Sequence, residues 1–355
     1  MKSALSLPKR FVSWTTFLVA GLAPVFLFAE TTFSDGQVAL GDVAALPKIS
    51  VEGNRFVDPD GETVILRGVA TVDPAELERR GQWDRSYFEA AASWNANVVR
   101  VAVHPLWWRQ MGKDWYLQAL DDAVRWSGEL GMYVIIDWHT IGNPLTEVFH
   151  RDIYETSRGE TFRFWYTIAQ RYAGNSTVAC YELWNEPTNR GGKMGRLPWS
   201  EYKEYIEELI SMIRAIDETS IPLVAGFNWG YDLSMAKNDP IDFPGVAYVS
   251  HPYPQKRPAP WIEHWERDWG FMADRFPMVC TEFGFMSEDG PGAHVPVIGD
   301  EVYGEALIGY FEEKGISWTA WVFDYRWSPQ LYSDEDYTPT RQGAFFKKKM
   351  EELNR

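Results

Sequence analysis

Val-Ala-Cys-Tyr-Glu-Leu-Trp-Asn-Glu-Pro, residues 178–187, is an apolar run of strand length that breaks into a polar string and stops at a proline. Glu186 stands just past the run. Met-Val-Cys-Thr-Glu-Phe-Gly at 278–284 repeats the arrangement, with Glu282 beyond the apolar stretch Met278–Thr281. Outward from the first string, Trp199, Tyr202, Tyr205, Ile206, Leu209, Ile210 and Ile213 keep the three-to-four spacing of a helix with one buried face, predicted over Trp199–Ile216. A buried strand, a polar turn and an amphipathic helix together make a βα unit.

The unit recurs. Strand-like runs fall at Val64–Ala70, Val98–Val103, Tyr133–Trp138, Val178–Leu183, Ile221–Phe227, Val246–Ser250, Met278–Thr281 and Ile316–Val322. Helical spacing lies between them at Arg85–Trp94, Trp115–Leu130, Thr161–Tyr172, Trp261–Arg275 and Glu301–Lys314, and Phe345–Leu353 closes the series. The connections after the first and fifth strands are less regular. Repeated alternation predicts an α/β fold, a (β/α)8 TIM barrel forming a single domain over residues 47–355. A doubly wound open sheet is the alternative, but no Gly-rich turn follows the first strand to favour it. Lys48–Val64, with Asp-Pro-Asp-Gly as its turn, reads as an N-terminal hairpin that plugs one end of the barrel. Residues 30–46 are small and polar and read as a linker. Residues 1–29 start with Lys2, Lys9 and Arg10, continue through the apolar Phe11–Phe28 and end at Ala29, the pattern of a signal peptide for a secreted or periplasmic protein.

The formal charge of −16 argues against a nucleic-acid partner, which demands a basic face. Cys180 and Cys280, the two cysteines, fall on the fourth and seventh strands, which are not neighbours, so both are expected as buried free thiols.

In such barrels the reactive groups collect where strands end. Arg100, Asp137, His139, Asn185, Glu186, Asn228, His251, Tyr253, Glu282, Trp321 and Asp324 all stand at predicted strand ends. One such residue alone is ordinarily a helix cap or a satisfied core group. Two glutamates, an arginine, two histidines and a tyrosine at one end suit acid/base cleavage of a glycosidic bond, which needs one protonated and one ionised carboxyl. Arg100 beside the ionised partner favours its charge, and Tyr253 is placed to donate to it. Asp137 and His139 also offer two metal ligands, but a metal site needs three or more convergent ones, and neither a His-x-His after the first strand nor a Cys/His cluster is present. No metal is expected.

Arg100, His139, Asn185-Glu186-Pro187, His251-Pro252-Tyr253, Thr281-Glu282-Phe283-Gly284 and Trp321, in this order over residues 48–353, resemble glycoside hydrolase family 5. The resemblance implies Glu186 as general acid/base and Glu282 as nucleophile, with net retention of anomeric configuration. It implies that Asn185 binds the 2-hydroxyl of the sugar being cleaved, that His139 and His251 line the site, and that Trp321 floors the subsite on the non-reducing side. It implies no cofactor. Residues 171–187 look most like the endoglucanases, so a β-1,4-glucan polysaccharide or oligosaccharide is the expected substrate. A β-mannanase, a mixed-linkage glucanase and a silent polysaccharide-binding barrel are the alternatives. No protein partner is implied, and a monomer is expected. Trp107, Trp108, Trp138, Trp229, Tyr231, Trp327 and Tyr332 sit in or near loops at the active end and are candidates for sugar contact, because sugar C–H faces pack on flat aromatic rings. Trp261, Trp265 and Trp269 recur every four residues on a helix and are expected in the core.

Overall fold

The computed structural model describes residues 46–354. The signal-peptide and linker readings lie outside the described residues, save for Leu46. Eight parallel strands close into a barrel: β1 (Arg67–Ala70), β2 (Val98–Val103), β3 (Tyr133–Trp138), β4 (Val178–Glu182), β5 (Pro222–Ala225), β6 (Ala247–Val249), β7 (Met278–Phe283) and β8 (Ser317–Ala320). Neighbours in sequence are neighbours in the barrel, and β8 pairs with β1 through Thr319 opposite Gly68. Every residue of these strands is buried, so they read as continuous apolar runs rather than alternating ones. Gly68 is required sterically, since a Cβ there would sit 1.9 Å from the Val98 carbonyl oxygen of β2.

The helix Trp199–Arg214 buries Tyr202, Tyr205, Ile206, Leu209, Ile210 and Ile213, the face its spacing predicts. Side-chain oxygens cap Arg85–Ser93 (Asp84), Arg158–Tyr172 (Ser157), Glu301–Lys314 (Asp300) and Arg341–Leu353 (Thr340). Two short helices escape the spacing analysis, Pro74–Arg79 and Pro105–Met111, each opened by a proline at its start. Between β5 and β6 the crossover is reduced to a four-residue turn, Phe227–Gly230, and a 3-10 turn, Ser234–Ala236. The expected helix Trp261–Arg275 ends at Asp268 and continues as a 3-10 segment, Gly270–Asp274. Trp265 and Trp269 are buried there against Tyr310, as the spacing predicts, whereas Trp261, expected with them in the core, stays partly exposed on the first turn of the helix.

The first predicted strand divides. Thr63–Val64 pairs antiparallel with Arg55–Val57, which pairs with Ser50–Glu52, so the N-terminal hairpin is a three-stranded sheet. The break falls at Leu66, whose N–H donates to Ser317 Oγ (2.9 Å) and whose carbonyl accepts from Trp318 N–H (2.7 Å), so β8 draws the chain into the barrel. Phe56 of the small sheet and Ile49 just before it pack into a cluster with Leu66, Val98, Ile135, Cys180, Leu223, Val249 and Val279, closing one end of the barrel interior as expected. Cys180 and Cys280 are both buried and free.

Candidate active site

Beyond β4, Leu183-Trp184-Asn185 carries the chain to a second extended pair, Glu186–Pro187, which lies parallel to Ile141–Asn143. Ile141–Asn143 turns back antiparallel onto Val148–Phe149, so the segment after β3 is a hairpin that clamps the polar string. Glu186 N–H donates to the Thr140 carbonyl (3.0 Å) and Thr188 N–H to that of Gly142 (3.0 Å). The backbone of Glu186 is thereby fixed by a neighbouring loop. Glu282 is fixed differently: it lies within β7 rather than past its end.

One carboxylate oxygen of Glu186, one of Glu282 and a ring nitrogen of His251 all lie within 4.8 Å of one another. The two glutamates keep 7% and 8% exposure, so both are recessed yet reachable. Tyr253 Oη donates to Glu282 Oε1 at 2.8 Å. Oε2 of Glu282 has no hydrogen bond among the described residues and faces the Arg100 guanidinium at 3.5 Å. Burial raises Glu282 above the usual carboxylate range; the charge on His251 opposes this, Glu186 adds to it, and Arg100 and Tyr253 pull it back.

His251 connects the two glutamates to a deeper layer. Its Nδ1 meets Glu186 Oε1 at 3.0 Å, and its Nε2 meets Thr281 Oγ1 at 3.0 Å. Thr281 Oγ1 in turn donates to Glu182 Oε1 at 2.8 Å, so Nε2 of His251 must carry a proton and donate to the hydroxyl. Burial works against a charge on this ring, but the carboxylates of Glu182 and Glu186 hold it protonated, up to about 9. Gly230 makes room for the ring, since a Cβ there would approach Nδ1 to 2.7 Å in a backbone at φ +68°.

Glu182 is the member of this cluster that the sequence reading missed. It is fully buried and accepts from Arg100 Nε (2.6 Å) and Nη2 (3.1 Å) in a two-pronged pair. Burial disfavours its charge, but Arg100 and His251 hold it down to about 2. The expected main partner of Arg100, Glu282, receives only a charge contact. The hydrogen bonds of Arg100 go instead to Glu182 and to Asn185 Oδ1 (2.6 Å), with Asp137 Oδ2 2.9 Å away. A charged residue inside an otherwise apolar strand was the available signal, because a buried carboxylate implies a buried cation.

Asn185 Nδ2 is buried without a partner among the described residues, while its Oδ1 is held by Arg100. Its amide therefore keeps a free donor. His139 shares Asp137 Oδ2 through Nδ1 (2.6 Å) and stacks on Trp321 at 5.2 Å and 6°. Burial and the nearby positive charge of Arg100 and the other histidines push His139 well down, so the ring is neutral. Arg100, His139, Asn185, Glu186, His251, Tyr253, Glu282 and Trp321 are thus brought together. Asp324 is not with them: it is ion-paired with Arg80 at 2.6 Å, both side chains buried. Asn228 is exposed on the turn after β5, and its carbonyl accepts from Lys256 Nζ (2.9 Å). Of the seven aromatic candidates, Trp108, Trp138, Tyr231 and Tyr332 are core residues, whereas Trp107, Trp229 and Trp327 stay partly open.

By distance alone Glu186, His251 and Glu282 form a metal-ligand set, but their chemistry does not fit one. A metal-bound imidazole must offer a lone pair, and both nitrogens of His251 are hydrogen-bonded in a ring held protonated. Asp137 and His139 are engaged with each other and with Arg100.

Residues 57–326 match the family model described as cellulase, glycosyl hydrolase family 5. Among solved structures, a beta-glucanase from Saccharophagus degradans in complex with cellotetraose is 46% identical, with a TM-score of 0.87 over 88% of this chain and 95% of that one. Endoglucanase A of Butyrivibrio fibrisolvens is 28% identical over 69% of this chain and 54% of its own length. Endoglucanase E-5 of Thermobifida fusca is 27% identical over 78% of this chain and 55% of its own. The chain thus spans about half the length of these two curated relatives. With the family model covering most of the barrel and the two glutamates facing each other at its mouth, the chain belongs to glycoside hydrolase family 5.

Proposed function

We propose that this protein is a retaining β-glucan hydrolase of the endo-β-1,4-glucanase type, with Glu282 as nucleophile and Glu186 as general acid/base. The observation that carries the reading is the approach of the two carboxylates to within 4.8 Å. Retaining enzymes hold their carboxyls about 5–5.5 Å apart, whereas inverting ones need about 6.5–9.5 Å to admit a water. The free Oε2 of Glu282 attacks the anomeric carbon while the bond to the leaving oxygen breaks. That oxygen takes the proton shared along the 3.0 Å contact between Glu186 and His251. A bound glucan excludes water from the site and favours the neutral form of this pair, with the proton on Glu186. Water then attacks the glycosyl ester and gives its proton to Glu186, and Glu282 is released. The unpaired Nδ2 of Asn185 is placed to donate to the sugar's 2-hydroxyl, and Trp321 to carry the ring.

Substrate class rests on kinship: the relatives named above are endoglucanases, and a 46%-identical neighbour holds cellotetraose. That neighbour is called a beta-glucanase, which favours mixed-linkage glucan as the second substrate to test. Rates on carboxymethyl-cellulose, barley glucan, xyloglucan and mannan decide among the alternatives. Export follows from the positive-then-apolar start of the chain. The assignment of roles is tested by Glu282→Ala and Glu186→Ala, each expected to lose at least about a thousandfold in kcat. Azide should rescue Glu282→Ala with formation of an inverted glycosyl azide. Ordinary turnover in either variant would remove that residue from its role.

A further inference from the structure

Cys280 of β7 stands opposite Trp318 of β8, and Phe283 stands opposite Ala320. Thr281 and Glu282 therefore share one partner, Thr319, so β7 carries an extra residue where Glu282 sits. Such a bulge bends its strand and re-aims the side chains on it, and it leaves backbone groups without ladder partners. The Thr319 hydroxyl takes up one of these by donating to the Thr281 carbonyl. Pairing resumes beyond the bulge, where Trp321 N–H donates to the Phe283 carbonyl (2.8 Å).

Past that point the two chain segments are joined by a side chain of the closing helix, Arg341–Leu353. Gln342 Oε1 accepts the backbone N–H of Phe285, and its Nε2 donates to the carbonyls of Pro329 (3.0 Å) and Trp321 (3.3 Å). Gly284 lets the segments close on the amide, since a Cβ there would come 2.6 Å from Gln342 Oε1 and 2.7 Å from the Trp321 carbonyl oxygen. Gln342 is 3% exposed, on a helix face that otherwise buries Gly343, Phe345, Phe346 and Met350. An amide buried in such surroundings is unfavourable unless it is hydrogen-bonded, and an apolar side chain would dock the helix without that penalty. The amide instead commits both its ends to the segments that leave Glu282 and Trp321. We propose that Gln342 is a positioning residue: it clamps the far end of the bulge and so fixes the line along which Glu282 approaches the anomeric carbon. The proposal rests on the reading of Glu282 as nucleophile. Trp321 does not depend on the amide, because its own N–H is bonded to Phe283 and its ring stacks on His139. Loss of the clamp should therefore spare sugar binding and weaken the attack.

Gln342→Met keeps the length of the side chain and removes its hydrogen bonds. It should lower kcat/KM on dinitrophenyl β-cellobioside by about tenfold or more, the effect of a reacting group displaced by up to about 1 Å. Its affinity for cellotriose, read by calorimetry, should stay within about twofold of that of the unaltered protein. The decisive comparison is made in Glu282→Ala with added azide, which bonds to the anomeric carbon in the glutamate's place as dinitrophenolate leaves. An external nucleophile needs no clamp, so there Gln342→Met should change the azide-dependent rate by no more than about twofold. An equal loss in both backgrounds, or a loss of cellotriose affinity as large as the loss of kcat/KM, would show that the amide only docks the helix and overturns the proposal. Full kcat/KM in Gln342→Met overturns it as well. Should Gln342→Met not accumulate as folded protein, Gln342→Glu, which keeps the size and the acceptor but has no amide donor, is read by the same comparison with the same outcomes. Ordinary turnover of Glu282→Ala without azide would remove Glu282 from its role, and the proposal with it.

Discussion

His251 shows how one side chain sets the chemistry of another. Its Nε2 proton is committed to Thr281, so only Nδ1 can exchange a proton with Glu186. The neighbouring carboxylates keep the His251 ring protonated up to about 9, so kcat/KM on soluble glucan should fall on the alkaline side as that proton is lost. Replacing the ring by an amide removes that titrating group from beside Glu186. His251→Asn should therefore shift the alkaline limb to lower pH by about one unit or more. An unmoved limb would contradict the shared proton. The acid limb has the opposite sign: it marks protonation of Glu282, and burial places it above the usual glutamate range. Glu186 and Glu282 were legible in the sequence because each interrupts an apolar run near its end. Glu182 was not, because its role depends on Arg100, which stands 82 positions away and meets it only across the closed barrel.

At the level of elements, the hairpin after β3 does more than shape a cleft. Thr140, just before its first strand, and Gly142 within that strand supply the carbonyls that hold Glu186 and Thr188. Gly142 is tightly enclosed there, and a Cβ would lie 2.6 Å from the Phe149 ring and 2.7 Å from the Val148 carbonyl oxygen. Gly142→Ala should push the two hairpin strands apart and displace Glu186. The expected result is a loss of about tenfold to a hundredfold in kcat, with little change in melting temperature, since misplacing a catalytic group by about 1 Å costs that much. A variant with full kcat would show that the clamp does not position the acid. The length and periodicity of strands and long helices were legible because burial on one or both faces writes itself into residue spacing. The helices Pro74–Arg79 and Pro105–Met111 were not, since six and seven residues give too few turns for a period to emerge. The division of the first strand at Leu66 was hidden for another reason: the apolar run is continuous, and the partner that bends it, β8, lies at the far end of the sequence.

On the scale of the molecule, the barrel is closed at one end by the small antiparallel sheet and left open at the other, where the reactive groups gather. Phe56 is the sheet's main anchor, 3% exposed in the cluster with Val98, Ile135 and Leu223. Phe56→Ala should cost about 3–5 kcal/mol of stability, read as a lowered unfolding midpoint in denaturant, with kcat unchanged because the cavity opens at the far end from the glutamates. A midpoint equal to that of the unaltered protein would show that the sheet is not part of the folding unit. The central claim is that two acidic side chains, far apart along the chain, act on one anomeric carbon from a separation that admits no water between them. Proton NMR of the first product formed from a β-glucan oligosaccharide, recorded before mutarotation, tests it most directly. The account predicts that the new reducing end appears as the β anomer; appearance of the α anomer first would contradict it.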